Sequence, residues 1–279
     1  MAADIDINID FKSKKIAFLG AGKMGEALIK GIVNSNLIPA QNICASDKYH
    51  PNLQNMGDEL GINTDIDNKK VSLWADIIVL AIKPQALKPV LEEIKPAIND
   101  KKLVISIAAG VTTALIEDEL ARGSKVIRVM PNIAVTVSEG AAAICAGKNA
   151  NEEDLKYAAG IFDSVGSSII TSEKNMDAVT GLSGSGPAFI FPIIEAMADG
   201  AVHEGLDREN ALKLATQTVL GAAQLMMTTK KHPGELKDMV TSPGGTTIRG
   251  LQKLEENKVR FAFMDAVITS ARRSKELGK

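Results

Sequence analysis

Three short segments of the chain have the residue types and spacing to hold anions without a dedicated arginine. In KIAFLGAGKMGEALIKGI, Gly20, Gly22 and Gly25 form G-x-G-x-x-G directly after an apolar run and at the start of a helical pattern. The first glycine permits a tight turn, the second lets backbone approach a pyrophosphate, and the third permits close helix–sheet packing. Further on, LSGSGPAFIFPIIEAM at 182–197 and SPGGTTIRGL at 242–251 place Gly, Ser and Pro at the starts of apolar helices. A helix start leaves backbone N–H groups without intrahelical partners and carries partial positive charge, so each is a candidate cradle for a small carboxylate. A dinucleotide fingerprint and a carboxylate cradle in one chain suggest a reductase of a small carboxylated substrate.

The other candidate cofactor residues follow from where strands should end. Ala21, Lys23 and Met24 share the glycine loop and the first helical turn. About twenty residues beyond Gly25 the next apolar run ends in Ser46-Asp47-Lys48. An acidic residue there takes the adenine ribose hydroxyls and favours NAD, whereas a hydroxyl with a nearby cation holds the extra phosphate of NADP. Asp47 and Lys48 pull in opposite directions, so the cofactor is NADP or NAD; as plain loop residues both would simply be solvated. Ala81-Ile82-Lys83-Pro84 and Ala108-Ala109 close two more runs, and ligands of open α/β sheets lie beyond the carboxyl ends of strands. Lys83 is expected to position its loop or touch the dinucleotide rather than to catalyse.

These segments need a scaffold, and the pattern supplies one. Apolar runs at KIAFLG, NICAS, DIIVLAI, LVISIAAG and KVIRVM alternate with helix-length stretches through the first half. The pattern predicts a doubly wound, mainly parallel α/β sheet of Rossmann type. AAAICAG and SSIITS read as additional edge strands, with a helix between them over about 152–164. After Ser172 the strand signal stops and apolar residues recur at helical spacing to the C-terminus, so the second domain is all-α. The expected organisation is a flexible extension over 1–14, a dinucleotide-binding domain over 15–172 and a helical domain over 173–279. The helix over 211–227 is apolar around much of its circumference, which fits either a central core helix or, favoured in so small a domain, an interface between copies of the chain.

Composition narrows the function classes. Of 279 residues, 45% are hydrophobic and 24% charged, ordinary for a soluble globular protein. A net charge of -2 without a basic stripe, and only 4% aromatics, argue against nucleic acid as a partner. The acidic start lacks a signal-peptide core and no later run is long enough to span a bilayer, so no membrane partner is expected and the cytoplasm is the expected compartment. Cys44 and Cys145 fall in buried-strand patterns and read as small hydrophobes rather than a disulfide pair. His50, His203 and His232 are too scattered for a metal site, and no metal is expected.

Taken together, GAGKMGEAL, AIKPQ, SIAAGV, RVMPN, DAVTGLSGSGPAF, HPGELKDMVTSPGGTTI and the closing helix resemble the pyrroline-5-carboxylate reductase family, from about Lys15 to the C-terminus. The long LSGSGPA and SPGGTTI blocks carry far more of that resemblance than the glycine loop does. The resemblance implies NAD(P)H-dependent reduction of 1-pyrroline-5-carboxylate to L-proline, by hydride transfer to a protonated cyclic imine. It also implies an N-terminal Rossmann domain and a C-terminal helical domain that forms a homodimer, often within a larger ring. Carried over by position, Gly245, Thr246 and Thr247 would bind the substrate carboxylate through backbone N–H groups, with the Thr247 hydroxyl at the ring nitrogen. Glu173 would lie near the substrate, Thr180 and Ser183 would help line its pocket, and Asn68 would join residues 81–84 as a cofactor contact. Plainer roles are available: Thr246 as a helix cap, Glu173 as a first-turn carboxylate. Two departures stand out, Ile133-Ala134 where relatives commonly have Thr-Pro, and Met239 where some have a polar residue; neither removes a group the chemistry needs.

Two other readings compete. A β-hydroxyacid dehydrogenase shares the glycine loop and a helical second domain but uses a lysine on the first long helix of that domain, and 181–205 contains none. A nonenzymatic dinucleotide sensor would be expected to lose the carboxylate cradle, which this chain keeps.

Overall fold

A computed structural model of the chain describes residues 9–48 and 50–278. Eight strands form one sheet: β1 (Ile16–Leu19), β2 (Ile43–Ser46), β3 (Asn63–Asp65), β4 (Ile77–Leu80), β5 (Leu103–Ser106), β6 (Lys125–Met130), β7 (Gly140–Ala146) and β8 (Gly166–Ile170). Their order is β3-β2-β1-β4-β5-β6-β7-β8, and every pairing is parallel except β6 with β7. Helices α1 (Lys23–Asn34), α2 (His50–Leu60), α3 (Asn68–Trp74), α4 (Pro84–Ile94), α5 (Thr113–Glu119) and α6 (Glu152–Asp163) connect them. The helix expected over 152–164 is α6, started by an Asn151–Asp154 capping box. AAAICAG is not an edge strand: β7 lies between β6 and β8, and its Ala142, Ala143, Ile144 and Cys145 are buried.

The period of two along each strand separates two cores. Ile16 and Phe18 of β1 join one face with Leu28, Ile29 and Ile32 of α1 and Phe162 of α6. Ala17 and Leu19 join the opposite face with Leu87, Val90, Leu91 and Ile94 of α4. Both faces of the sheet are therefore covered, which is why its central strands read as continuous apolar runs.

The extension expected to be flexible over 1–14 is corrected in part. Residues 1–8 lie outside the described residues, but Phe11 is buried, meeting the Tyr157 ring edge-on at 5.3 Å between centroids. The Phe11 ring also fills the space beside Gly160 on α6, where any side chain would collide with it. Phe11 and partly buried Ile9 thus dock the arm against the sheet unit's core.

The chain divides into two compact units, 1–185 with 270–279 and 186–269, so the division falls after Ser185 rather than at Ser172. The strand signal does end where expected, but residues 173–185 belong with the sheet. Met176 of the short helix α7 (Met176–Val179) is buried in a cluster with Ala143 and Cys145 of β7. The second unit is helical, with α8 (Gly186–His203), α9 (Arg208–Thr229), α10 (Pro233–Met239), α11 (Thr246–Glu256) and the greater part of α12 (Val259–Leu277). Its buried apolar cluster is Ala198, Ala211 and Ala215, so α9 is not the core helix of a self-contained bundle.

Candidate active site

The register of the sheet brings three strand ends together. Leu19 pairs with Ser46 on one side and with Leu80 on the other, so Gly20, Asp47 and Ala81 leave the sheet side by side. Strand order reverses between β1 and β4 at this place, where open α/β sheets bind ligands. Backbone bonds fix the junction: Gly20 N–H donates to Ser46 O at 2.8 Å and Ala81 N–H to Leu19 O at 2.9 Å.

The glycine loop divides into positions explained by packing and one that is not. Gly20 has φ +105°, and a side chain there would strike the Ala81 carbonyl; one at Gly25 would strike the Gly20 carbonyl. At Gly22 a side chain would meet no protein atom, yet it would project from the helix cap into open space. Gly22 caps α1 without any side-chain hydrogen bond. An uncapped helix start under an open approach fits a bound pyrophosphate, so the residues present fit a dinucleotide.

A groove of 360 Å³ gathers Gly20, Gly22, Ser46, Asp47, Lys48 and Asn68, and with them Ala81, Ile82 and Lys83. Asp47 Oδ2 accepts the Ala21 N–H at 2.7 Å. The Ser46 hydroxyl donates to Asn68 Oδ1 at 2.7 Å, and Asn68 Nδ2 donates in turn to Glu93 Oε2 at 2.9 Å. Glu93, on α4, also lines the groove and was missed from the sequence, since nothing local marks one exposed helix carboxylate among others. Pro84 starts α4 next to Lys83, and buried Ala108 with exposed Ala109 follows β5; these three do not line the groove. Met24 packs toward the sheet core, and Lys23 lines a separate shallow cleft with Glu26 and Thr136.

The two blocks read as candidate carboxylate cradles differ in local structure. LSGSG is not an open turn: Thr180–Gly184 is a π turn following α7, with Ser185 N–H donating to Thr180 O at 2.9 Å. The Thr180 and Ser183 hydroxyls bond back to the carbonyls of Met176 and Val179, at 2.8 and 3.2 Å, so these side chains serve the helix. Composition alone reads Gly and Ser as a turn; these back-bonds hold the segment helical. The second block does start a helix, α11. Gly245 caps α11 with no side-chain hydrogen bond, Thr246 is the first helical residue rather than the cap, and the first turn holds no acidic residue. Thr247, half-buried, sits in that first turn.

Glu173 has other partners than a substrate. Oε1 accepts the Thr113 N–H and Oε2 the Thr113 hydroxyl, each at 2.8 Å, while buried Arg128 stands 3.3 Å from Oε1. The carboxylate thus serves the start of α5 and neutralises a buried guanidinium on β6. Cys145 lies in the same neighbourhood, its thiol pushed up to about 11 by burial first and the Glu173 charge second. Asn132 pins the loop that departs from the family pattern: its Oδ1 accepts from Ala134 and Ala141 N–H, and its Nδ2 donates to Ser183 O at 3.1 Å. Ile133 is therefore held in place while its side chain stays exposed, and Met239 is exposed on α10. Among the described residues no group of His, Cys, Asp and Glu is placed to hold a metal, and no helix is long and apolar enough to cross a membrane.

Known proteins resemble this chain along nearly its whole length. A family model described as pyrroline-5-carboxylate reductase dimerisation matches residues 173–277, and one described as NADP oxidoreductase coenzyme F420-dependent matches 15–110. A pyrroline-5-carboxylate reductase of Methanosarcina acetivorans is 58% identical over 96% of this chain and 99% of its own. The Escherichia coli enzyme of the same name is 39% identical over 95% and 99%. Among solved structures, a pyrroline-5-carboxylate reductase from Coxiella burnetii superposes with a TM-score of 0.92 at 37% identity, covering 96% of this chain and all of the other. A pyrroline carboxylate reductase from Plasmodium falciparum, solved with NADP bound, gives 0.85 at 36% identity, covering 96% of this chain and 100% of that one.

Proposed function

The chain belongs to the pyrroline-5-carboxylate reductase family, and from that premise we infer how its residues divide the work of reducing 1-pyrroline-5-carboxylate to L-proline with NAD(P)H. The observation that carries the reading is the pair of uncapped helix starts, α1 in the first unit and α11 in the second. The first takes the dinucleotide pyrophosphate and the second the substrate carboxylate. A bound reduced nicotinamide supplies the hydride. Gly245, Thr246 and Thr247 offer backbone N–H groups to the carboxylate, and the Thr247 hydroxyl bonds the ring nitrogen. A protonated cyclic imine accepts hydride readily, so binding and orientation make the larger demand on the protein. Thr180 and Ser183 act by holding the π turn helical, and Glu173 acts by positioning α5 and Arg128 rather than by touching substrate.

The functional form is a homodimer built through the second unit. Phe191, Leu214 and Phe261 are 63%, 58% and 65% exposed there, apolar surface that a second copy of the chain would cover. The two unbridged, buried cysteines suit a reducing compartment, and we place the enzyme in the cytoplasm.

The test is oxidation of NADPH and NADH by the purified protein with pyrroline-5-carboxylate, followed by absorbance, with proline identified as product. Turnover without proline, or none by folded protein that binds dinucleotide, would overturn the assignment. Thr247→Ala should lower imine turnover about tenfold or more while leaving dinucleotide affinity unchanged. Equal loss of both would remove Thr247 from the substrate site.

A further inference from the structure

The groove at the end of β2 carries a charge pattern that bears on which reductant the enzyme takes. Asp47 follows the last residue of β2 and lines the groove, and its bond from the Ala21 N–H ties the carboxylate to the glycine loop. The neutral donors beside it are committed. The Ser46 hydroxyl points to Asn68, and the Asn68 amide ends on Glu93, a second carboxylate lining the same groove. Lys48 supplies a cation at this end, on an exposed and flexible side chain.

Resting on the reading of this groove as the dinucleotide site, we infer that Asp47 makes NADH, rather than NADPH, the preferred reductant. The adenine ribose of NADH carries two hydroxyls, which can donate to a carboxylate at the end of β2. The 2′-phosphate of NADPH is an acceptor with close to two negative charges. Set against Asp47, with Glu93 near and the Ser46 and Asn68 donors turned away, it meets repulsion and unmet hydrogen-bonding demand. Lys48 offsets this only in part, because an exposed ion pair on a mobile stem is screened by solvent.

Titration calorimetry of NADH and NADPH without imine tests the inference apart from turnover. The wild-type protein should bind NADH about tenfold or more tightly than NADPH. Asp47→Ser should narrow that ratio by raising NADPH affinity. Asp47→Asn keeps an acceptor for the Ala21 N–H and removes only the charge, so the same gain there would separate electrostatics from disturbance of the loop. Glu93→Gln should move the ratio in the same direction by less. Equal or tighter wild-type binding of NADPH would overturn the inference and leave the reductase reading standing. So would Asp47 variants that change both affinities equally, or a ratio that responds to Lys48→Met and not to Asp47. Binding of neither dinucleotide would overturn the inference together with the cofactor assignment beneath it.

Discussion

Phe18 and Phe261 show how differently the two units of this molecule are held together. Phe18, on β1, is fully buried in a core shared by strands and helices of one chain, whereas Phe261, on α12, is 65% exposed. The difference extends across both units. The sheet unit closes both faces with its own helices, while the helical unit buries chiefly three alanines and leaves leucines, methionines and phenylalanines at its surface. The sheet unit, which carries the glycine loop, closes its core within one chain, whereas the helical unit, in the homodimer proposed above, would complete its burial against a second copy.

One substitution made in both places would break or sharpen this contrast. Phe18→Ala should cost about 3–5 kcal/mol of unfolding free energy, because it leaves a cavity in a closed core. Its effect in denaturant titrations should be independent of protein concentration. Phe261→Ala should leave the sheet unit intact and instead weaken association, visible as a rise in the dimer dissociation constant in sedimentation equilibrium. If Phe261→Ala left the oligomeric state unchanged, the helical unit would have to be stable alone and the contrast would fail.

A smaller effect is expected within the sheet unit. Glu173→Gln keeps the shape of the side chain but leaves buried Arg128 without its carboxylate, at a cost of about 2–3 kcal/mol. If Glu173 only positions structure, thermal stability should fall while KM for the imine stays within about twofold once the protein is folded. A large rise in KM with little change in stability would return Glu173 to the substrate site.

How much of this could be read from the residues depends on the kind of signal each region carries. The glycine loop, the strand ends and α6 were legible because packing and capping fix their residue types locally. β3 was not: Asn63, Thr64 and Asp65 form an exposed, polar edge strand paired to β2, with no apolar run to announce it. The composition of the LSGSG block reads as a turn, while its helicity depends on back-bonds that composition does not show. Its place with the sheet unit depends on Met176 reaching the β7 cluster, a contact between residues distant in sequence. The role of Glu173 was hidden for the same reason, because Thr113 and Arg128 lie on other elements. In SPGGTTI the plainer role of Thr246 as a helix cap is not taken up: Gly245 is the cap, and no side chain caps the first-turn N–H groups.

The last expected effect is nil at neutral pH and probes the closed core only in alkali. Burial raises the Cys44 thiol from its ordinary 9.0 to about 11, and burial with the Glu173 charge does the same for Cys145. In the unfolded chain both thiols ionise near pH 9, while in the folded chain they keep their protons to about pH 11. Over that interval the folded state binds more protons than the unfolded state, so stability falls as pH rises from 9 to 11 and these thiols contribute no such slope at neutral pH. Chemical denaturation at a series of pH values should show this decline, and Cys44→Ala with Cys145→Ala should flatten it. The same thiols should resist alkylation at neutral pH until the sheet unit unfolds, because the reactive species is the thiolate and both are buried. Rapid modification of folded protein would mean that the sheet unit opens far more readily than its two covered faces require.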